Sequence, residues 1–346
     1  MASKVYVGLS GGVDSSVTAA LLKEQGYDVT GVYMKNWSKD LPGFDCPWKD
    51  DYQDAKRVAV QLGIPFKMYD FEKAYQQKVV DYMITEYKAG RTPNPDIMCN
   101  QEVKFKLFLE TALEDGADMI ATGHYARVTD GQLFAAKDSN KDQTYFLYRV
   151  TEAALQKTIF PLGDYTKPEV RKLAEKFSLA TAHKKESMGI CFVGKVGIKE
   201  FLSQYVTTKP GVIKEQHGVV VGEHEGAIFY TIGQRSGLGV GGGLPYYVVG
   251  KDMAKNEVYV TTDLSDSKLW NNTLNLTDMH WINQPVKDGT SVEVRTRHRA
   301  PLVKGIIQHK ADSWVVKLDD EIRAATPGQS AVLYSSEHCL GGGIIV

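Results

Sequence analysis

The sequence predicts an α/β protein in which a parallel-sheet domain is followed by two β-rich modules, the last of them a small β-barrel. Apolar strand-like runs alternate with amphipathic helical patterns through the first half, which favours a parallel sheet covered by helices. After about residue 205 the helical patterns fade, and short β runs separated by Gly and Pro take over. The length of 346 residues allows two to three domains at about 150 residues each. We therefore expect domains at residues 1–205, 206–268 and 269–346.

In the first half, short buried strands and longer helices follow one another. We expect strands at 5–9, 29–34, 66–70 and 119–121, and helices at 13–25, 50–62, 74–89 and 167–177. Gly26, Gly63 and Gly90 are placed to end three of these helices. The run from Thr166 to Glu169 matches a capping box that opens the fourth helix.

The second half has the spacing of a small barrel or sandwich. We expect strands at 218–222, 246–250 and 257–261 in the central module, and at 292–297, 303–308, 313–318 and 331–334 in the last one. The glycines between Gly237 and Gly243 follow no strand–helix pattern. We interpret them as a flexible β connection and not as a second nucleotide-binding loop.

Composition places the chain among ordinary globular proteins and excludes several classes. Hydrophobic residues make up 43% and charged residues 24%, which excludes a disordered tail protein or a fibrous repeat. With 41 Lys and Arg against 42 Asp and Glu, the net charge of -1 offers no steering toward nucleic acid, so an RNA partner needs local basic patches. The first residues show neither the apolar core of a signal peptide nor an Arg-rich transit pattern, so we expect no leader. No apolar run approaches the roughly 20 residues that a membrane helix needs. We expect a cytoplasmic monomer without membrane contact.

Four cysteines stand apart in the sequence, at Cys46, Cys99, Cys191 and Cys339. This spacing excludes a disulfide-rich scaffold, a zinc ribbon and a thioredoxin-like motif, and it fits a reducing compartment. Any one of them alone is compatible with an inert buried thiol. Cys99 and Cys191 have polar or basic sequence neighbours, which favour the reactive thiolate. We interpret Cys46 and Cys339 as structural or incidental.

The most specific motif is the run from Gly8 to Ser16, between the first strand and the first helix. Gly11 and Gly12 let the backbone approach an anion, and the following helix N-terminus supplies N–H donors. Ser10, Ser15 and Ser16 add hydroxyl donors. The motif is neither a Walker A loop nor the dinucleotide fingerprint. The alternative is a glycine-rich turn capped by Asp14, but the complete string after a first strand favours phosphate binding.

The string Ser-Gly-Gly-Val-Asp-Ser at 10–15 resembles the PP-loop of the ATP pyrophosphatases, which cleave ATP to AMP and pyrophosphate and adenylate a carbonyl oxygen. Further strings resemble one family of these enzymes, the tRNA 2-thiouridylases, over essentially the full chain. They lie at 92–100, 121–127, 140–147, 160–163, 185–192, 230–235, 247–249, 294–299 and 326–329. The PP-loop resemblance implies an adenine nucleotide α hydrolase-like fold for the first domain.

The resemblance implies that ATP is a co-substrate. It assigns ATP binding to Gly8, Leu9, Ser10, Gly11, Gly12, Val13, Asp14, Ser15, Met34 and Gly123. Met34 and Gly123 stand at the C-terminal ends of predicted strands, where open α/β sheets bind ligands, although Met34 alone would be taken for a core methionine. ATP chemistry implies Mg²⁺. We assign no metal ligand to the protein and expect no tightly bound cofactor.

The resemblance also implies the sulfur chemistry and its partners. The C2 oxygen of the wobble uridine in a tRNA anticodon is adenylated, and sulfur then replaces it. Cys191 resembles the cysteine that carries a persulfide received from a cysteine desulfurase or a sulfur-carrier protein. Cys99 resembles its partner, which releases sulfide or resolves the persulfide and leaves a transient Cys99–Cys191 disulfide. Asp96 resembles an acid/base residue, and its alternative is a turn residue.

For tRNA binding, the resemblance points to a set of residues in both halves of the chain. They are Asn94, Pro95, Asp96, His124, Lys141, Asp142, Gln143, Arg297, His298 and Gln329. On a strand, Arg295, Arg297 and Arg299 would share one face suited to phosphates, the alternative being a solvated charged strand. His298 stands where the family often has Tyr, and its imidazole can still stack.

Two other classes of function stay open at this point. A PP-loop ligase that transfers nitrogen to a small acid would share the phosphate loop. It would need neither the two cysteines nor a basic terminal module. A non-catalytic RNA-binding protein would share the basic segments without any ATP turnover.

Overall fold

A parallel sheet forms the centre of the N-terminal half in the computed structural model, which describes residues 2–40, 45–185, 197–215, 217–241, 243–310 and 313–346. The strands of this half are β1 (Lys4–Gly8), β2 (Asp28–Lys35), β3 (Phe66–Asp70), β4 (Met119–Ala121), β5 (Arg127–Thr129), β6 (Gln132–Phe134) and β7 (Thr158–Ile159). The sheet has the order β3–β2–β1–β4–β7, and every pairing in it is parallel. Val5 and Val7 of β1 are fully buried, as expected for a strand covered on both faces. The predicted fold class of this half is confirmed.

Helices connect these strands and flank the sheet. They are α1 (Val13–Glu24), α2 (Trp48–Leu62), α3 (Glu72–Tyr75), α4 (Asp81–Lys88), α5 (Pro95–Met98), α6 (Phe108–Glu114), α7 (Thr144–Leu147), α8 (Glu152–Leu155), α9 (Lys167–Lys176) and α10 (Ile198–Leu202). The helix predicted over 74–89 is α3 and α4 joined by a π-helical segment, Gln76–Val80. A second π-helix, Cys99–Leu107, continues α5 into α6. π-helices are rare and frequently lie at functional sites.

The predicted capping box is present at the start of α9. The Glu169 carboxylate accepts a hydrogen bond from the Thr166 backbone N–H at 2.6 Å. This hydrogen bond, with those from the Thr166 hydroxyl and Lys137, lowers the pKa of Glu169 to about 2. The cap begins α9 at Lys167, a residue whose side chain reaches the functional site described below.

Two β-rich units follow. The central sheet contains β8 (Gly211–Glu215), β9 (Val220–His224), β10 (Tyr247–Asp252) and β11 (Glu257–Thr261), in the order β10–β11–β8–β9. The C-terminal strands are β12 (Trp270–Trp281), β13 (Ser291–Arg295), β14 (Val303–Lys310), β15 (Ser313–Arg323), β16 (Ser330–Ser335) and β17 (His338–Ile345). Pairing of β12 with β17 closes them into a barrel, which confirms the predicted barrel.

Sequence patterns missed β12 and β17. The polar run that opens β12 hides its alternation, and β17 contains Gly341, Gly342 and Gly343, which are poor strand formers. The glycines are explained by close packing, because a Cβ at Gly341 would overlap the His280 carbonyl of β12. These positions need glycine where neighbouring barrel strands approach each other.

The N-terminal half contributes a hairpin to the barrel's sheet. β5 and β6 pair with each other, and β6 pairs with the start of β17, with Phe134 opposite His338 and Leu133 opposite Cys339. Arg127 of β5 forms an ion pair with Glu337 at 2.7 Å. The first and last parts of the chain are therefore joined by backbone pairing as well as by side-chain packing.

Candidate functional site

A cleft of about 340 Å³ opens at the C-terminal ends of β1, β2 and β4. Its lining residues are Gly8, Leu9, Ser10, Asp14, Ser15, Tyr33, Met34, Asn36, Trp37, Cys46, Pro47, Trp48, Asp51, Tyr75, Lys104, Thr122, Gly123, His124 and Gln143. Open parallel sheets bind ligands at this edge. Seven of the predicted ATP-binding residues line this one cleft, and Gly11, Gly12 and Val13 lie in the same loop.

The loop between β1 and α1 has a backbone suited to an anion. Gly11 has a φ of +76°, and a Cβ there would fall 2.5 Å from the Asp51 carbonyl oxygen. Gly12 caps α1 without a side-chain hydrogen bond, so no capping side chain occupies the N–H groups of the first turn. The Ser10 and Ser15 hydroxyls lie 3.2 Å apart beside it. These donors and the helix dipole fit phosphate groups.

The Asp14 carboxylate is held by two side chains from outside the loop. The Lys167 Nζ lies 2.7 and 2.8 Å from its two oxygens, and the Tyr125 hydroxyl donates to it at 2.9 Å. Asp14 therefore does not act as the simple cap of a glycine-rich turn. Sequence reasoning missed Lys167. The clue that could have pointed to Lys167 is its position at the start of α9, the helix that packs against α1.

Close backbone approach explains the glycine that follows β4. A Cβ at Gly123 would lie 2.8 Å from the Ser15 backbone N, so the end of β4 packs directly on the loop. A Cβ at Gly8 would lie 2.9 Å from the Met34 Cε. Met34 thus lies against the loop at the cleft wall and not in the interior of the core.

The segment carrying Asp96 and Cys99 precedes Lys104, which lines this cleft. The Asn94 side chain caps α5 by accepting a hydrogen bond from the Asp96 backbone N–H at 3.2 Å. Cys99 begins the π-helix and is buried in an apolar cluster that includes Ile97 and Val103. The helix thus turns the Cys99 side chain into the core, although its sequence neighbours are polar. The reactivity expected of its thiol stays a prediction. Cys191, and with it the predicted disulfide, lies outside the described residues.

Burial raises the pKa of Asp96, and the positive charge of Lys104 partly opposes this shift. A raised pKa means that the folded protein disfavours the ionised Asp96 carboxylate. Ionisation of Asp96 therefore lowers the free energy of unfolding, and this loss grows as pH rises above the pKa that Asp96 has in the unfolded chain. We expect Asp96→Asn to melt at a higher temperature than the wild type at pH 7, with a smaller difference near pH 4. Thermal unfolding at both pH values measures this. If the melting temperatures of Asp96→Asn and the wild type differed equally at the two pH values, the raised pKa of Asp96 would be contradicted.

Family models cover nearly the whole chain. Residues 3–195 match the model described as tRNA methyl transferase HUP domain, residues 199–262 the tRNA methyl transferase PRC-barrel domain, and residues 271–345 the aminomethyltransferase beta-barrel domain. The tRNA-specific 2-thiouridylase MnmA of Streptococcus sanguinis (strain SK36) is 49% identical over 353 residues, covering 99% of this chain and 95% of the relative. MnmA 2 of Geobacillus kaustophilus (strain HTA426) is 49% identical, with 99% and 94% covered. The chain belongs to the tRNA-specific 2-thiouridylase MnmA family.

A solved 4-thiouridine synthetase–RNA complex with bound ATP has a TM-score of 0.40 and 20% identity to this MnmA-family chain. The match covers 58% of this chain and 50% of that one.

His124 and Gln143, two of the tRNA contacts expected in an MnmA-family protein, line the cleft. His124 is buried, its Nδ1 lies 2.7 Å from the Thr122 hydroxyl, and burial lowers its pKa well below the usual value. The Gln143 side-chain oxygen accepts a hydrogen bond from the Tyr125 backbone N–H at 2.9 Å. Both side chains are therefore held in place at the cleft wall, and His124 is neutral there.

Asp142 has its carboxylate engaged inside the protein. It is only 3% exposed, accepts from the Thr144 hydroxyl at 2.8 Å, and forms an ion pair with Arg295 at 3.2 Å. Lys141 lies beside it in the same loop, half-buried. A contact of Asp142 with tRNA would have to use its backbone, because its carboxylate holds this loop against the barrel.

The three arginines do not share a strand face, and that prediction is wrong. β13 ends at Arg295, and the chain turns away so that Arg299 adopts a φ of +64°. Arg299 donates to the Asn140 carbonyl at 2.9 Å, and Arg297 donates to the Ala324 carbonyl at 3.1 Å. His298 packs on Phe146 with 4.7 Å between ring centroids. The basic run thus ties the barrel to neighbouring segments.

Gln329 joins the barrel to the segment that precedes Asp96. Its side-chain N–H donates to the Thr92 carbonyl at 2.7 Å, and the Thr92 N–H donates to the Pro327 carbonyl at 2.9 Å. The Thr92 hydroxyl also lies 3.2 Å from that of Thr231 in the central unit. All three units therefore meet at Thr92, immediately before Asn94 and Pro95.

Gln329→Ala tests whether this contact positions the Asp96 segment. Removing one such hydrogen bond costs about 1 kcal/mol, or about fivefold in an equilibrium. We expect turnover to fall by about that factor, while the Kd for tRNA measured by filter binding changes less than twofold. A residue that acted only by contacting tRNA would instead show its whole effect in the Kd.

In the ranges that the structure describes, no group of three or more His, Cys, Asp or Glu side chains is placed to hold a metal ion. In the same ranges, no helix combines the length and the apolar character needed to cross a bilayer.

Proposed function

We propose that this protein uses ATP to replace the C2 oxygen of the wobble uridine in tRNA anticodons with sulfur. Its membership of the MnmA family makes it a tRNA sulfurtransferase. The proposal of ATP-dependent thiolation at C2 is supported mainly by two elements that meet at one cleft. The phosphate-binding loop forms one wall, and the π-helix that begins at Cys99 reaches the same cleft with Lys104. A nitrogen-transferring ligase would have no use for that cysteine-bearing helix.

The first chemical step is adenylation. The flipped uridine enters the cleft, at a cost that is lower in an anticodon loop than in a duplex. Its O2 attacks the α-phosphorus of ATP, so that the O2–P bond forms while the bond to pyrophosphate breaks. The N3 proton passes to the Asp96 carboxylate, whose raised pKa makes it the stronger base. Mg²⁺ accompanies the triphosphate, and Ser10, Ser15 and the α1 N-terminus hold the pyrophosphate portion.

The second step transfers sulfur. Cys191 carries a persulfide delivered by a cysteine desulfurase or a sulfur-carrier protein. Its terminal sulfur attacks C2 while the C2–O bond breaks and AMP leaves; Cys99 then attacks the Cys191 sulfur and releases the thiolated base. In the alternative route, Cys99 attacks first and the released sulfide attacks C2. Both routes leave a Cys99–Cys191 disulfide, which a cellular thiol reduces before the next turnover.

The test supplies purified protein with unmodified tRNA, ATP, Mg²⁺ and a persulfide donor. We expect pyrophosphate release that requires tRNA, and a wobble nucleoside whose mass shows oxygen replaced by sulfur. An added methyl group would contradict the proposal. Pyrophosphate release with a small acid and no tRNA would favour the ligase, and tRNA binding without ATP cleavage would favour a binding protein. Sulfide detected during turnover selects the route in which sulfide is released first.

A further inference from the structure

Lys104 lies one π-helical turn after Cys99. In a π-helix each N–H bonds to the carbonyl five residues earlier, so residues five apart lie nearly above one another. In an α-helix, at 3.6 residues per turn, the same spacing would rotate the two side chains about 140° apart. The π-helix Cys99–Leu107 therefore brings Cys99 and Lys104 toward one side, with Cys99 in the apolar cluster and Lys104 at the cleft.

The neighbouring residue holds this register. Phe105 is buried, with its ring centroid 5.5 Å from that of His124 and 5.7 Å from that of Phe160. Two aromatic contacts on a buried side chain resist rotation of the helix about its axis. Lys104 lines the same cleft as Gly123, His124 and the phosphate-binding loop.

The charges of the cleft lining make this position chemically important. Among the described lining residues, the carboxylates are Asp14 and Asp51, and Lys104 is the only Lys or Arg. Asp14 is paired with Lys167, and Asp51 with Lys184 at 2.8 Å. Burial raises the pKa of Asp96 and lowers that of His124; the positive charge of Lys104 opposes the first shift and adds to the second, so it acts on the proposed base and on a residue of the cleft.

We infer that Lys104 is a catalytic residue of the adenylation step, binding the α-phosphate oxygens of the ATP that the phosphate-binding loop holds. The inference rests on the proposed function. As the O2–P bond forms and the bond to pyrophosphate breaks, negative charge builds up on these oxygens, and a preorganised cation stabilises it. The ammonium stays protonated throughout, so no proton is transferred to or from it. The same contact stabilises AMP as it leaves C2.

Lys104→Met tests the inference, with Lys106→Met as the matched control. Lys106 lies on the same π-helix, is largely exposed and pairs with Glu102 at 3.4 Å. Removing one such donor typically costs about 100- to 1,000-fold in rate, so we expect Lys104→Met to lose tRNA-dependent pyrophosphate release by about that factor. Lys104→Arg, which keeps the charge, should recover part of the rate. The Kd values for ATP and tRNA should change only a few-fold.

The outcomes separate the two proposals. If the wild type releases pyrophosphate in the presence of tRNA and Lys104→Met does so equally well, the role of Lys104 alone is overturned. If the wild type itself shows no tRNA-dependent pyrophosphate release, the proposed function is overturned. A loss of ATP affinity equal to the loss of rate would also overturn the inference, since it would show ground-state binding only. If thermal unfolding shows that Lys104→Met does not fold, Lys104→Gln replaces it as the test variant.

Discussion

Cys99→Ser abolishes 2-thiolation while pyrophosphate release in the presence of tRNA and ATP continues. The expected separation follows from the proposed roles, because the oxygen of serine cannot take part in persulfide exchange but the phosphate-binding loop is unchanged. Nucleoside mass spectrometry measures thiolation, and a pyrophosphate assay measures adenylation. Cys99 is only 1% exposed, so Cys99→Ala, which adds no hydroxyl to the core, accompanies it.

Cys46→Ser is the matched control for this experiment. Cys46 lines the same cleft and is half-buried, and its thiol donates toward the Trp37 carbonyl at 3.7 Å. Burial raises the pKa of its thiol, which keeps it in the unreactive form. The Cys46→Ser variant should therefore retain thiolation near the wild-type level. Full thiolation by both Cys99 variants would remove Cys99 from the mechanism.

Gly11→Ala stops tRNA-dependent pyrophosphate release. The Cβ would lie 2.5 Å from the Asp51 carbonyl oxygen, and the φ of +76° adds about 1–2 kcal/mol of backbone strain. The loop must move away from α2, so its N–H groups no longer converge on the phosphates. Pyrophosphate release and ATP binding by calorimetry measure the loss.

Gly26→Ala separates backbone strain from loop displacement. Gly26 has a φ of +87° just after α1, and a Cβ there meets nothing within 4 Å. It shares the strained conformation but lies outside the cleft lining, so it should lose stability and keep its activity. If Gly11→Ala were as active as Gly26→Ala, the loop would not be the phosphate site.

The parts of the fold that depend on local patterns were predictable from the sequence. Strands β3, β4 and β11 match their expected bounds, and the capping box correctly predicted the start of α9. The π-helix at Cys99 was not predictable, because an apolar pattern with a helical period does not distinguish five-residue from four-residue hydrogen bonds. The same limitation hid Lys104 and the burial of Cys99.

The site was predictable where one short segment carries it and not where distant segments meet. The loop from Gly8 to Ser15 could be found in a single string, whereas the pairing of Asp14 with Lys167 depends on how α1 packs on α9. The engagement of Asp142 by Arg295 likewise depends on contact between the two ends of the chain. The tRNA contacts, the disulfide and the role of Asp96 stay predictions.

The hairpin β5–β6 limits how the chain can be recombined. It begins at Arg127, just after the cleft residues Gly123 and His124, and completes the barrel's sheet beside β17. A barrel grafted from a relative would meet a foreign partner strand at β17, and a barrel produced alone would present the N–H and C=O groups of that strand to solvent, a template for aggregation. Exchange of C-terminal parts between relatives should therefore succeed only when residues 127–134 travel with the barrel.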